Sequence, residues 1–204
     1  MEAWLISVMN RFGYFGICFL IALENIFPPI PSEVILTFSG FMTTTTKLTI
    51  PLVILFSTLG STIGALLLYY IGKILNKDRL IKLVSGRLGR LIRLKPKDIL
   101  KADQWFNNRG NITVFFCRFI PIIRSLISIP AGMSEMPLSR FLLYTIIGTL
   151  IWNSVLVLLG YYMGSNWLQI SIWLEKFTYV VVIIIIIFIV VWLLYNKKKK
   201  RPHK

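Results

Sequence analysis

Residues 15–40 have the sequence FGICFLIALENIFPPIPSEVILTFSG, and this stretch decides the fold class. It is apolar almost throughout, but Pro28, Pro29 and Pro31 interrupt it near its centre. Proline removes a backbone donor and breaks a helix, so the stretch is not expected to form one straight membrane span. Irregular backbone at membrane depth is typical of a re-entrant hairpin whose tip is covered by protein. The stretch therefore predicts such a hairpin, entering from the outer side.

A second interrupted apolar stretch lies between Gly110 and Ser139. Arg109 precedes it and Arg140 follows it, so both ends are expected on the cytoplasmic side of a membrane. The stretch is too short for two full spans, which need about 40 residues, and too apolar for a surface loop. A second re-entrant hairpin, with Pro121 at its tip, satisfies both conditions.

The remaining apolar segments are unbroken and long enough to cross a bilayer as helices. They are 48–73, 140–164 and 173–195. The last one ends in Trp192, Tyr195 and a lysine-rich run, an aromatic belt followed by a basic anchor that predicts a cytoplasmic C-terminus. With 56% hydrophobic residues and a mean hydropathy of +0.73, the chain is too apolar for a water-soluble globule.

The net charge of +15 is concentrated in residues 73–101 and 197–204, beside apolar segments. This is the placement of cytoplasmic membrane loops rather than of a nucleic-acid surface, because aromatic residues do not alternate with the basic ones. Cys18, Cys117 and the single histidine, His203, lack the spacing of metal ligands. The sequence thus predicts neither an enzyme nor a metal site, and no cofactor.

The two halves of the chain resemble each other at a constant offset. The matched pairs are Gly40 with Gly132, Tyr69 with Tyr161, and Gly72 with Gly164. Because the matched spanning helices run in opposite directions, the predicted fold is an all-α integral membrane protein. It has an inverted repeat of re-entrant hairpin plus transmembrane helix, with an extra C-terminal transmembrane helix.

We expect a single membrane domain over residues 1–204. Its predicted parts are an interfacial amphipathic helix at 1–14, hairpin 1 at 15–46, a spanning helix at 48–73, a basic cytoplasmic segment at 74–108, hairpin 2 at 109–138, spanning helices at 140–164 and 173–195, and a basic tail at 196–204.

Four charged residues fall inside the predicted hairpins, namely Glu24, Glu33, Arg118 and Arg124. A charge at the centre of a lone membrane helix costs roughly 2.5–3.5 kcal/mol, so each needs a partner, water or a ligand. Arginine binds phosphate through two parallel hydrogen bonds, and a carboxylate can load and release a proton. We therefore predict that the arginines bind a substrate phosphate and the glutamates couple transport to protons.

Two structural alternatives remain open for these charges. They could form ion pairs that fasten one hairpin to the other, and Glu33, next to Ser32, could cap a helix start. Other residues are expected to support the hairpin tips. These are Pro28, Pro29, Pro31, Ser32, Pro121, Ser128, Gly132 and Asn153.

Two long motifs carry a family resemblance. They are Glu24-Asn25-x-x-Pro28-Pro29-x-Pro31-Ser32-Glu33 and Phe116-x-Arg118-Phe119-x-Pro121-x-x-Arg124-x-x-x-Ser128-x-Pro130-Ala131-Gly132. In this order they resemble the signature hairpins of the DedA family, also called the SNARE-associated or VTT superfamily. The resemblance covers residues from about 10 to 165 and implies a lipid carrier of the bacterial plasma membrane.

Members of that family are associated with flipping undecaprenyl phosphate or phosphatidylethanolamine and with dependence on the proton-motive force. The resemblance places their important acidic and arginine positions at Glu24, Glu33, Arg118 and Arg124. We expect a proton-coupled transporter that returns undecaprenyl phosphate from the outer to the inner leaflet, with an anionic lipid as partner and possible homo-oligomers. The alternatives are a phosphatidylethanolamine flippase, a structural membrane scaffold and, less favoured, a proton-driven exporter of small molecules.

Overall fold

The structure is a computed structural model, and the part of the chain that it describes is mainly residues 2–27, 31–75, 112–121 and 123–167. It also describes Arg79, Ile81, Gln104, Phe106, residues 109–110, and residues 169, 172, 173, 176, 180, 183 and 187. Within these residues the regular structure is helical, without strands. Most of the basic segment, most of the predicted span at 173–195 and the whole C-terminal tail lie outside the described residues.

Helix α1 comprises Glu2–Ile26 and bends at Gly13, whose φ of 54° and ψ of −126° lie outside the helical region. Glycine adopts this positive φ without the steric cost that other residues would incur. The bend falls at the end of the predicted interfacial segment, 1–14. Beyond a break that includes Pro31, helix α2 comprises Ser32–Thr45.

Helix α3 comprises Ile50–Ile74 and starts with Thr49 as N-cap and Pro51 in its first turn, where proline's missing N–H has no cost. Residues 112–117 are also helical, and two short helices follow the turn after them: α4 is Ile123–Leu126 and α5 is Ser128–Met133. Helix α6, Leu138–Met163, follows Pro137 and continues into a 3-10 turn at Gly164–Asn166.

In the described part of the chain, three helices are long and apolar enough to cross a membrane by length and composition. They are Ile6–Ile26 within α1, Ile50–Ile74, and Leu138–Asn166. The second and third cover nearly the same residues as the spans predicted at 48–73 and 140–164. The first differs from the prediction in that residues 6–26, assigned to an interfacial helix and a hairpin arm, satisfy the criteria for a span. That this segment re-enters the membrane rather than crossing it stays a prediction.

The buried residues form two hydrophobic clusters with polar residues between them. Along α3, Val53 belongs to the first cluster and Tyr69 to the second. Along α6 the order is reversed, with Phe141 in the second cluster and Leu156 in the first. The buried polar residues of both helices lie between these levels. They are Ser57, Thr58, Ser61, Thr145, Thr149 and Asn153. The polar residues thus lie between the levels of the two apolar clusters on both helices.

Glycines allow helix α2 to pack very closely on α6. A Cβ atom at Gly40 would collide with the carbonyl oxygen of Val157, and one at Gly160 would collide with the carbonyl oxygen of Thr37. A larger side chain at either position would have to push the two backbones apart.

The same reciprocal contact joins α5 to α3. A Cβ at Gly132 would collide with the carbonyl oxygen of Tyr69, and one at Gly72 with that of Ile129. In addition, the Tyr69 hydroxyl donates a hydrogen bond of 2.6 Å to the carbonyl of Met136. Helices α2 and α5 are each therefore held closely against a long helix by a pair of glycines.

Candidate functional site

Glu24 and Arg124 form a buried ion pair. Glu24 lies in the last turns of α1, Arg124 lies in α4, and each is only 4% exposed. Nη2 of Arg124 donates a hydrogen bond of 2.7 Å to Oε2 of Glu24. A charge-assisted bond of this length is stronger than a bond between neutral groups. The first predicted hairpin is thereby joined to the second across the core.

Arg118 is equally buried but is held by neutral oxygens. Its Nη1 donates to the carbonyl of Arg124 at 2.6 Å, and its Nη2 donates to Ser128 Oγ at 3.2 Å and to Thr145 Oγ1 at 2.9 Å. The guanidinium also lies 5.7 Å from the ring centroid of Phe141, a cation–π distance. These bonds tie the segment before the turn to α4, α5 and α6 at once.

The turn between the two arginines is tight. Its backbone is closed by hydrogen bonds from the Ile123 amide to the Pro121 carbonyl, 2.7 Å, and from the Arg124 amide to the Ile120 carbonyl, 3.0 Å. Proline suits this position because its fixed φ favours a turn. Pro121 therefore helps to form the turn that joins the two arginines, and Ser128 accepts a hydrogen bond from Arg118.

Glu33 lies in the first turn of α2 and is 5% exposed. It is close enough to Glu24 for the two carboxylates to repel. The N-cap of α2 is Pro31, with no side-chain capping bond, so neither Ser32 nor Glu33 acts as the N-cap. An acidic residue in a first turn still interacts favourably with the helix dipole. Pro28 and Pro29 lie outside the described residues.

Asn153 is fully buried in α6 and contacts α3. Its Nδ2 donates to Ser57 Oγ at 3.3 Å and to Thr58 Oγ1 at 3.4 Å. Among the described residues, its hydrogen bonds thus go to α3 and not to the arginines. Gly132, also expected to support a hairpin tip, lies in α5 and packs against α3. Thr145, which binds Arg118, was not predicted from the sequence, although its position one helical turn from Thr149 was a visible signal.

The fold and the buried charges define a helical multi-span membrane protein. A model of the VTT domain matches residues 30–162, so the chain belongs to the VTT-domain, or DedA, family. The family resemblance noted from the two motifs is thereby confirmed.

Several curated relatives cover most of this chain. It is 60% identical to a Lactococcus lactis protein named alkaline phosphatase-like protein, over 89% of this chain and 85% of the relative. It is 40% identical to undecaprenyl phosphate transporter A of Staphylococcus aureus, over 89% of both chains. It is 31% identical to undecaprenyl phosphate transporter A of Bacillus subtilis, over 80% of this chain and 78% of the relative. No solved structure matches the chain.

Proposed function

We propose that this protein carries undecaprenyl phosphate from the outer to the inner leaflet of the bacterial cell membrane, coupled to proton entry. The names of the Staphylococcus aureus and Bacillus subtilis relatives support the substrate. The observation that carries the proposal is the buried ion pair of Arg124 and Glu24. In this pair an arginine inside a membrane protein is neutralised by a carboxylate that a proton can neutralise in turn.

Arg124 is the better candidate for phosphate binding. Its side-chain bond in the described residues goes to a carboxylate oxygen, which has the charge and acceptor geometry that a phosphate oxygen would offer. Arg118, in contrast, already donates to three protein oxygens. We infer that Arg124 exchanges Glu24 for the lipid phosphate, while Arg118 positions the turn and adds positive charge to the site.

This exchange supplies a route for proton coupling. Protonation of Glu24 removes its negative charge and releases Arg124 for phosphate, and loss of that proton restores the competing carboxylate. Glu33 and Arg118 both lie near enough to act on the charge of Glu24. With a proton-motive force directed inward, phosphate would bind at the outer side and be released at the inner side.

We propose further that the two broken segments are re-entrant hairpins in an inverted repeat. The reciprocal glycine contacts support this, because α2 packs on α6 in the same way that α5 packs on α3. The sequence comparison matched Gly72 with Gly164. The contacts instead match Gly72 with Gly160, which lies one helical turn before Gly164. Gly164 has a φ of 48°, and a Cβ there would meet no atom within 4 Å, so it does not take part in the packing. We also propose that the C-terminus is cytoplasmic and that the protein can form homo-oligomers.

The test is native mass spectrometry of the purified protein with undecaprenyl phosphate and phosphatidylethanolamine in competition. Wild type is expected to prefer undecaprenyl phosphate, and Arg124→Ala to lose that preference. Arg140→Ala is the matched control, because Arg140 is an exposed arginine at the start of α6. Undiminished binding by Arg124→Ala would overturn the assignment.

The same experiment separates the alternatives. Preference for phosphatidylethanolamine would favour a flippase for that lipid, whose amine could bind the acids. Binding without selectivity would favour a structural scaffold. Release of inorganic phosphate from the bound lipid would instead favour the activity that the Lactococcus lactis name suggests.

A further inference from the structure

Helices α3 and α6 share a buried column of polar side chains outside the arginine site. We call this the polar column, and its members are Ser57, Thr58, Ser61, Thr145, Thr149 and Asn153. On α6 the members recur at a spacing of one helical turn, as Ser57 and Ser61 do on α3, so they line one face of each helix. All six are at most 7% exposed, too buried to contact a lipid headgroup.

The two helices run antiparallel, which aligns the column. Asn153 contacts Ser57 near one end, and the ring of Tyr69 stacks on that of Phe141 at 4.7 Å near the other. This register places Ser61 at the level of Thr149. From Thr145 to Asn153 the column is roughly 12 Å long, at 1.5 Å per residue.

The column contains polar atoms that the protein leaves unpaired. Five buried side-chain nitrogen or oxygen atoms lack a hydrogen-bond partner in the described part of the chain. Ser61 Oγ and Asn153 Oδ1 are in the column, and Trp152 Nε1 is next to it in sequence. Arg118 Nε belongs to the residue that bonds to Thr145, and Ser125 Oγ lies in α4. An unpaired buried polar group costs about 1–3 kcal/mol, and buried water is the usual partner in proteins.

The inner end of the column meets the charged site. Thr145 accepts a hydrogen bond from Arg118, and a Cβ at Gly64, less than one turn beyond Ser61, would lie against the side chain of Asn25, the neighbour of Glu24. The other end approaches the start of α3 and the end of α6. In the proposed orientation that end faces the outside of the cell.

We propose that the polar column is hydrated and conducts protons from the outer side to Glu24. Among the described residues, the charged groups that interact with Glu24 are Arg124, Arg118 and Glu33. The direction and use of the column rest on the proposed function, whereas its hydration does not. A dry column, in which Asn153 only fastens α6 to α3, is the competing account.

Cysteine labelling tests hydration directly. In a protein with Cys18 and Cys117, its only cysteines, replaced by alanine, we would compare Ser57→Cys and Ser61→Cys with Val53→Cys. Val53 is the matched control because it is fully buried on α3 within an apolar cluster. With a small methanethiosulfonate added from outside, both column positions are expected to react at least about tenfold faster than Val53→Cys, since only a hydrated thiol ionises readily.

Equal, slow labelling at all three positions would overturn the hydrated column. Substituting sulfur for a hydroxyl oxygen is a small change, and two column positions are used so that one misfolded variant does not decide the result. Labelling requires no transport, so a labelled column in a protein that fails to bind lipid phosphate would contradict only the proposed function.

Proton conduction needs its own measurement. In proteoliposomes with an internal pH-sensitive dye, Asn153→Leu is expected to slow lipid-dependent proton uptake at least about tenfold, because it interrupts the hydrogen-bonded water path. Binding of undecaprenyl phosphate should be unchanged. Ser154→Ala is the control, since the Ser154 hydroxyl donates to the Leu150 carbonyl of its own helix and the described residues show it no other partner. Uptake at the wild-type rate in Asn153→Leu would exclude conduction through the column.

Discussion

The surroundings of Arg118 and Arg124 differ although the two residues share one tight turn and are almost equally buried. Arg118 donates to a backbone carbonyl and two hydroxyls, all neutral and all within the second half of the chain. Arg124 donates to a carboxylate of the first helix. A carboxylate loses its negative charge when it binds a proton, whereas a carbonyl or hydroxyl oxygen has no such charge to lose. The comparison indicates one arginine that fixes the site and one that can change partners.

The largest effect is expected for Arg118→Ala. Hydrogen bonds from a charged group contribute about 1.5–3 kcal/mol each, so losing three of them should lower the free energy of unfolding by roughly 3–5 kcal/mol after relaxation. Thermal unfolding in detergent measures this, with Arg140→Ala as control. A variant as stable as wild type would remove the distinction between the two arginines.

A double-mutant cycle on Arg124 and Glu24 should give the next largest effect. Arg124→Ala leaves a buried carboxylate without its partner, which costs about 3 kcal/mol, and adding Glu24→Gln should recover about half of that loss. No such recovery is expected when Glu24→Gln is combined with Arg118→Ala. Additive losses in the first pair would mean that the ion pair contributes no coupling energy.

Lysine substitutions should distinguish the two arginines by their effects on lipid binding. Lysine keeps the charge but lacks the planar fork, so Arg124→Lys is expected to weaken binding of undecaprenyl phosphate by about tenfold. Arg118→Lys should act mainly on stability instead. If Arg124→Lys bound and transported as wild type does, charge alone would suffice, as the scaffold alternative predicts.

The smallest effect is expected for Thr145→Val. This change removes one acceptor of Arg118 at nearly constant volume and should cost about 1 kcal/mol of stability. Lipid binding, measured by the same native mass spectrometry, should stay at the wild-type level because Arg124 is untouched. A loss of binding greater than the loss of stability would place Arg118 in direct contact with the phosphate.

Much of the charged site could be predicted from the sequence because ionised side chains in apolar stretches are costly and therefore conspicuous. Glu24, Arg118 and Arg124 were recognised in this way, and the structure buries all three. Their partners could not be predicted, since Glu24 and Arg124 are separated by 100 positions and only the packed helices bring them together.

The hydroxyl residues of α3 and α6 were missed for a different reason. Serine and threonine often bond to their own helix, as Thr37 does to the Glu33 carbonyl, so a hydroxyl in an apolar segment is a weak signal. The spans near 48–73 and 140–164 were easier, because unbroken apolar length alone predicts them. The spanning potential of α1 was obscured because the amphipathic pattern of residues 1–14 and the prolines after Phe27 suggested shorter pieces.

The most direct test of the exchange at Arg124 is the affinity for undecaprenyl phosphate below and above neutral pH, for wild type and Glu24→Gln in nanodiscs. Wild type should bind more tightly at the lower pH, because protonated Glu24 no longer competes for Arg124. Glu24→Gln should bind tightly at both pH values. Weaker binding by Glu24→Gln, or an unchanged pH dependence in that variant, would contradict the exchange.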